Sequence, residues 1–420
     1  MSTRAVIVGL GYVGLPLARE ASLAGLEVIG LDTSQLVVES LNAGRSHVDD
    51  LSDAHISEML STGFSATSDP AALRDAAVAV ICVPTPLSPE GGPDLGAVIG
   101  ATKMIAAHLH EGMLVILEST TYPGTTDEVV KPLLESSGLI AGIDFSLAFS
   151  PERIDPGNPN YGAKNTPKVV GGFTPQCTEA AASFYGKFVD TTVRTRGTRE
   201  AEMAKLLENT YRHVNIALVN EMARFCHDLD IDLWNVIEAA KSKPFGFQAF
   251  YPGPGVGGHC IPIDPNYLSH NVKARLGYPF RFVELAQEIN SRMPAYVVER
   301  AQDLLNNREL ALKNSRVLLL GVTYKPNIAD ERESPAAAVA EKLLAKGAIV
   351  QYHDPFVEEW SAFPAAERVN SPEKGVAQAD LTILLQSHQE YDVTALAARS
   401  RMFFDTRGGL ISEKSNATRL

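Results

Sequence analysis

Arg4-Ala5-Val6-Ile7-Val8-Gly9-Leu10-Gly11-Tyr12-Val13-Gly14 is the stretch that decides the fold. Its apolar run shows no alternation, which predicts a strand buried on both faces, as in a parallel sheet covered by helices. Residues 15–24 then read as a helix closed by Gly25, and residues 27–31 as a second strand ending at Asp32. Glycines at 9, 11 and 14 suit a strand-to-helix turn around a pyrophosphate. The first permits the tight turn, the second lets the backbone approach the anion, and the third lets helix and strand pack closely. The helix start adds unpaired N–H groups and a partial positive charge.

Working outward, apolar runs at residues 77–83, 113–117, 145–149 and 168–171 complete a doubly wound domain, expected over residues 1–196. Residues 198–227 contain neither Pro nor Gly, and Met203, Leu207, Tyr211, Val214, Leu218, Met222 and Phe225 recur at helical steps. That predicts a long amphipathic helix opening a central helical domain over residues 197–310. Further helices are expected at 233–240 and 283–307, around a Pro- and Gly-rich loop at 251–265. A long helix between two domains suits a dimer seam, so a homodimer or higher homo-oligomer is expected. Arg316-Val317-Leu318-Leu319-Leu320-Gly321 repeats the opening pattern and starts a second α/β unit over residues 311–420, without the full glycine fingerprint. The expected class is α/β: two Rossmann-like doubly wound domains joined by a helical domain with a long helix.

Bulk properties narrow the partners. Net charge is −13, from 37 Lys and Arg against 50 Asp and Glu. That disfavours nucleic acid and anionic membrane, both of which want a basic face. No apolar run approaches the ~20 residues of a membrane helix, and the opening residues lack the layout of a signal peptide. The four cysteines, Cys82, Cys177, Cys226 and Cys260, form no C-x-x-C pair, so no metal site is expected. A cytoplasmic, reduced protein follows.

The fingerprint residues Gly9, Gly11, Tyr12, Val13 and Gly14 are the expected dinucleotide site. Asp32 is where a carboxylate would meet the adenosine ribose hydroxyls and repel the extra phosphate of NADP, so NAD is the expected cofactor.

A second group carries chemistry. Gly257-Gly258-His259-Cys260 lies in the Gly- and Pro-rich loop, with Asp264 four residues on. Taken alone, Cys260 reads equally as a reactive or a structural thiol, whereas Cys82, within Val80-Ile81-Cys82-Val83, reads as core. Lys205 and Asn209 share a helix face opposite the apolar stripe and could hold a developing alkoxide. A plainly solvated helix face would look the same. Ser119-Thr120 and Ser150-Pro151-Glu152-Arg153 fall at the carboxyl ends of strands, where ligands bind in open α/β sheets.

With these motifs the chain resembles the UDP-glucose/GDP-mannose dehydrogenases over nearly its whole length. The likeness also includes Val83-Pro84-Thr85-Pro86, Lys325 through Arg332-Glu333-Ser334-Pro335, and Asp405-Thr406-Arg407. The resemblance implies oxidation of a sugar C6 alcohol to the acid, with two hydrides lost. Cys260 would form a thiohemiacetal and then a thioester, and Lys205 and Asn209 would stabilise the oxyanion. Glu152 would serve as hydrolytic base, with Thr120 and Asp264 placing the water. It further implies that Thr85, Thr120 and Arg332 line the NAD site. Phe250, Gly257, Lys325 and Arg407 would bind the UDP-sugar together with Glu152, Lys205 and Asn209. Lys243 stands where many members carry a substrate-binding Arg from a neighbouring subunit.

Phe250 through Pro265, with Ser150 through Asn158, resembles the branch acting on UDP-N-acetylhexosamines. UDP-glucose enzymes often carry a second glutamate where this chain has Asp155. The implied substrate is UDP-N-acetylglucosamine, followed by UDP-glucose and UDP-N-acetylmannosamine, in polysaccharide biosynthesis. β-Hydroxyacid dehydrogenases share the Rossmann domain and a helix-borne Lys–Asn pair, but they perform one hydride transfer without a cysteine. Cys260 and the third domain argue against that reading.

Overall fold

The computed structural model describes residues 3–48, 51–88, 92–154, 158, 160–258, 261, 263–410 and 416–420. The chain begins β1 (Arg4–Val8), α1 (Gly14–Leu23), β2 (Glu27–Leu31), α2 (Gln35–Asn42), α3 (Asp53–Ser61) and β3 (Ser65–Thr67). There follow β4 (Val78–Ile81), α4 (Gly96–Ala106), β5 (Leu114–Leu117), α5 (Lys131–Glu135) and β6 (Ser146–Phe149). β7 (Lys168–Gly172), α6 (Pro175–Tyr185) and β8 (Thr192–Arg194) close the first sheet, ordered β3-β2-β1-β4-β5-β6-β7-β8.

The absence of alternation in the opening strand has a direct cause. Ala5 and Ile7 pack into one core with Leu15, Ala18 and Phe184, and Val6 and Val8 into another with Val98 and Ile105. Both faces of β1 are therefore dry. β1 pairs in parallel with β2 on one side and β4 on the other, so strand order reverses there. Ligands of open α/β sheets bind outside the carboxyl ends at such a reversal. β7 runs antiparallel to β6, a departure from the all-parallel sheet that the sequence predicted. Buried runs look alike in both directions, so the pattern carries no sign of it.

The helical segment comprises α7 (Thr198–Asp228), α8 (Leu233–Lys241), α9 (Asp264–Leu276) and α10 (Arg281–Asn306). α9 was not foreseen, and Asp264 opens it rather than lying inside a loop. The second sheet is built from β9 (Arg316–Leu320), α11 (Pro335–Ala345), β10 (Ile349–His353), β11 (Glu367–Arg368) and α12 (Pro372–Gln378). It ends with β12 (Leu381–Leu384), α13 (Val393–Arg399), β13 (Phe403–Asp405) and β14 (Ala417–Arg419). Its order is β11-β10-β9-β12-β13-β14, all pairs parallel, with a second reversal at β9. The expected α/β class with two Rossmann-like sheets and a helical segment is what the chain adopts.

The chain forms two compact units, Met1–Glu208 with Asn266–Gly277, and Asn209–Pro265 with Tyr278–Leu420. α7 belongs partly to each. Its apolar stripe faces outward: Met203, Leu207, Tyr211, Leu218 and Phe225 are all exposed, Leu207 by 60%. Its buried side is mixed: Leu206, Ala217, Val219, Ala223 and Cys226 are buried along with Glu202, Lys205, Asn209, Thr210, His213 and Asn220. Burial of these polar groups removes the solvated-face alternative for Lys205 and Asn209. Among the described residues no helix is long and apolar enough to cross a membrane.

Candidate active site

In the first unit the glycine turn after β1 meets each steric demand. A Cβ at Gly14 would lie 1.9 Å from the Gly9 carbonyl oxygen, and one at Gly9 (φ +93°) 2.7 Å from that of Cys82. A Cβ at Gly11 would meet nothing within 4 Å. The fold therefore requires glycine at 9 and 14, whereas the open side of Gly11 is free for a ligand. Tyr12 is exposed and Val13 half-buried beside it. Asp32 accepts from Leu10 N–H and Ser34 N–H, both at 2.9 Å. The carboxylate thus ties the glycine turn to β2, and its remaining lone pairs stay able to accept from ribose hydroxyls. Thr85 Oγ1 donates to the Thr120 carbonyl at 2.8 Å, and Tyr267 donates to the Thr85 carbonyl. These contacts hold the loops after β4 and β5 together at the carboxyl edge. The arrangement fits a dinucleotide.

At the same edge the Lys205 ammonium donates to the Glu152 carbonyl at 2.5 Å and is only 8% exposed. Arg153 pairs with Glu208 at 2.7 Å, giving a second tie between the loop after β6 and α7. Ile154 N–H donates to Glu152 Oε1. Glu152 Oε2 lies 3.8 Å from Lys168 Nζ, which is itself 3.0 Å from Glu118 Oε2. Tyr185 donates its hydroxyl proton to Glu118 Oε1. Burial pushes Glu118 up. Burial alone would push Lys168 down, but the Glu118 and Glu152 carboxylates outweigh it and hold the ammonium above its ordinary range. One turn before Lys205, the Glu202 carboxylate accepts from Gly124 N–H, Thr126 N–H and Thr126 Oγ1 at 2.5, 2.9 and 2.7 Å. It anchors the loop that carries Thr120, and burial pushes it up to about 7 against those donors.

In the second unit Asn209 Nδ2 donates to Asp264 Oδ2 at 2.6 Å, linking α7 to the start of α9. Cys260, like His259 and Asp155, lies outside the described residues. The segment before it is fixed. Gly253 N–H donates to Asn220 Oδ1, and Asn220 Nδ2 to Asn290 Oδ1, both at 2.9 Å. Asn290 Nδ2 continues to the His213 carbonyl at 3.3 Å. Burial pushes His213 down to about 4, so it is neutral there. Gly257 and Gly258 lie against Tyr324. A Cβ would come within 2.9 Å of the Tyr324 side chain at Gly257 and 2.7 Å at Gly258. The loop ahead of the cysteine and the loop after β9 therefore pack as one body. That second loop is braced from below: Val322 N–H donates to Asp354 Oδ2 at 2.7 Å, and Asn327 N–H to His388 Nδ1 at 2.9 Å. His388 Nε2 lies 3.0 Å from the same Asp354 oxygen.

Lys325 is half-buried on this braced loop, its carbonyl accepting from Thr323 Oγ1 at 2.8 Å. Arg407 follows β13, its Nε donating to the Leu385 carbonyl at 2.6 Å and its guanidinium facing Gly253. Burial pushes Arg407 down to about 10, Asp405 working against that shift. A partly desolvated cation suits a phosphate group. Phe250 packs edge-on against Tyr211 with ring centroids 5.7 Å apart. Arg332 pairs with Asp330 of its own loop at 2.7 Å. Lys243 is exposed, its ammonium 5.0 Å from the Phe245 ring centroid.

Glu118, Lys168 and Glu202 were missed by the sequence reading. A signal existed for each. Glu118 directly precedes Ser119-Thr120, Lys168 begins a strand of otherwise apolar residues, and Glu202 lies three before Lys205 on the same helix face.

The sequence matches three domain profiles described as the UDP-glucose/GDP-mannose dehydrogenase family. These are the NAD binding domain over residues 3–189, the central domain over 199–292 and the UDP binding domain over 318–411. A UDP-N-acetyl-D-mannosamine dehydrogenase of Pyrococcus horikoshii is 34% identical over 92% of this chain and 90% of its own. A UDP-N-acetyl-D-glucosamine 6-dehydrogenase of Pseudomonas aeruginosa is also 34% identical, over 98% of both chains. The solved structure of UDP-D-ManNAc dehydrogenase from Pyrococcus horikoshii superposes with a TM-score of 0.89 at 32% identity, covering 99% of this chain and 98% of that one. With its fingerprint turn, its buried Lys205 and Asn209, and Lys325 and Arg407 on the loops of the second sheet, this chain belongs to the UDP-glucose/GDP-mannose dehydrogenase family and is an NAD-dependent nucleotide-sugar dehydrogenase.

Proposed function

We propose that the chain oxidises C6 of a UDP-N-acetylhexosamine from alcohol to carboxylate, through a thioester on Cys260. The buried polar groups of α7 carry this reading. Lys205 and Asn209 are 8% and 5% exposed, and burying an ammonium is costly unless it has work or partners.

NAD, held by the turn at Gly9, Gly11 and Gly14 with Asp32, supplies a hydride acceptor for each oxidation. The chain's own residues do the rest. Lys205 and the second Nδ2 hydrogen of Asn209 stabilise the alkoxide left when the alcohol gives its proton to solvent, and loss of hydride from that alkoxide gives the aldehyde. An aldehyde carbon loses a further hydride readily only once tetrahedral, so the Cys260 thiolate adds to it and the same donors face the new oxyanion. Loss of hydride leaves the thioester. Glu152 then takes a proton from water, whose oxygen attacks the thioester carbon, and the C–S bond breaks to return the thiolate. Thr120 and Asp264 orient that water. Lys325 and Arg407 hold the diphosphate, Phe250 and Gly257 border the sugar, and Arg332 serves the cofactor. Lys243, exposed in the chain, would act on a neighbouring subunit's substrate.

UDP-N-acetylglucosamine is our first substrate, from the motifs at 150–158 and 250–265. UDP-N-acetylmannosamine is the second reading, favoured by the name of the Pyrococcus horikoshii relative. A panel of nucleotide sugars, with NADH counted per sugar consumed, tests both the chemistry and the choice. We expect two NADH and a uronate, with kcat/KM highest for an N-acetylhexosamine. A stoichiometry of one rejects the four-electron reaction, and a preference for UDP-glucose rejects the sugar assignment.

The outward apolar stripe of α7 supports a homodimer, since a monomer would leave Leu207, Tyr211, Leu218 and Phe225 in water. Sedimentation at micromolar concentration is expected to give a dimer or larger. Charged substitutions at Leu207 and Leu218 should shift it to monomer, and a wild-type monomer rejects the idea.

A further inference from the structure

Three charged side chains stand in a row at the carboxyl edge of the first sheet, and two of them have no assigned part in the reaction. Glu118, at the end of β5, is fully buried, and Lys168, at the start of β7, is 7% exposed. Lys168 Nζ is 3.0 Å from Glu118 and 3.8 Å from Glu152. Tyr185 from α6 donates to Glu118, and its ring lies 5.1 Å from the Lys168 ammonium. Lys205 donates to the Glu152 carbonyl, and Arg153 beside it is paired with Glu208. The buried Cys82 thiol is also near, and burial pushes it well up, so it is uncharged. The row of Glu118, Lys168 and Glu152 thus carries one positive charge between two carboxylates.

Buried ions without a task tend to be replaceable by apolar residues at no loss of stability. Here the middle ion touches a proposed catalytic group. A hydrolytic base has two opposing needs: it must be ionised at working pH, yet basic enough to take a proton from water. A nearby cation lowers a carboxylate's pKa by about 1–3 units. Shared with a second carboxylate, the same cation acts less strongly.

We propose that Lys168 is a positioning residue for thioester hydrolysis. Its ammonium attracts and aims the Glu152 carboxylate, while Glu118, held by Tyr185, fixes Lys168 and shares its charge. The inference rests on Glu152 being the hydrolytic base.

The test follows decay of the enzyme-bound thioester in single turnover, by intact-protein mass, as a function of pH. Lys168→Met should move the acid limb of the decay rate upward by about one unit or more. Glu118→Gln should move it downward, because the full charge of Lys168 then bears on Glu152. Lys168→Arg, which keeps the charge in a different shape, should move the limb less than Lys168→Met, and NAD affinity should be unchanged in all three. Opposite shifts are the signature, since damage to the fold would slow both variants without moving their limbs apart. Unmoved limbs, or shifts in the same direction, overturn the proposal. Should Lys168→Met fail to fold, the downward shift in Glu118→Gln decides the matter alone. Glu152→Gln separates the two levels. A thioester that persists there while the limbs of the other variants do not move removes only Lys168's role. Wild-type hydrolysis in Glu152→Gln removes the base and this inference with it.

Discussion

Cys260→Ala is expected to abolish uronate formation, with turnover to the acid falling by at least roughly 10³-fold, while NAD binds as before. The size of the effect follows from the chemistry of the second oxidation. An aldehyde or its hydrate offers no covalent handle, so without the thiolate the second hydride must leave from a species that nothing holds in place. The surroundings make the effect local. Gly253 is tied to Asn220, Gly257 and Gly258 rest on Tyr324, and Asp264 is bonded to Asn209. The described segments on either side of residue 260 are thereby held by other side chains. The dinucleotide turn at residues 9–14 lies in the other compact unit. Calorimetric titration with NAD and mass analysis of the sugar product form the measurement. Uronate at the wild-type rate in Cys260→Ala would remove the covalent step.

The fold was legible to the extent that burial on both faces writes itself into composition. β1, β4, β5 and β9 read as uninterrupted apolar runs because helices cover both sides, and the structure has them close to where they were expected. Short edge strands such as β3, β8 and β11 left no trace, since half-exposed segments of two or three residues have neither run nor period. α9 was hidden because Pro and Gly precede it and it begins at a residue already given a chemical role. On α7 the helical periodicity is plain in the sequence, but periodicity does not say which face is inside. Ordinary experience would have buried Leu207 and exposed Lys205, and the structure does the reverse. Of the candidate site, the residues with a distinctive spacing were visible. Glu118 and Lys168 were not, because an ion pair between strands fifty residues apart becomes a pattern only after folding.

Lys205→Met should cost roughly 10²–10³-fold in kcat, equivalent to about 3–4 kcal/mol of oxyanion stabilisation, with little change in KM. The exchange suits the site. Methionine is close to lysine's length and apolar, so it refills a position that is only 8% exposed, and among the described residues the hydrogen bond lost is the one to the Glu152 carbonyl. A net loss of about 1 kcal/mol in stability is expected from that bond, too little to account for the kinetic effect. Lys205→Arg should recover only part of the activity, because a planar fork cannot replace a compact ammonium in a buried slot. Asn209→Ala should also slow turnover, but it leaves the Asp264 carboxylate without its Nδ2 partner, so part of its effect is loss of that alignment. If both side chains serve one oxyanion, the double variant will lose less than the product of the single losses. Steady-state kinetics of acid formation, with thermal unfolding of each variant, gives the comparison. Independent, multiplying losses would assign Lys205 and Asn209 to different steps, and a kcat within threefold of wild type in Lys205→Met would leave its buried charge without a catalytic reason.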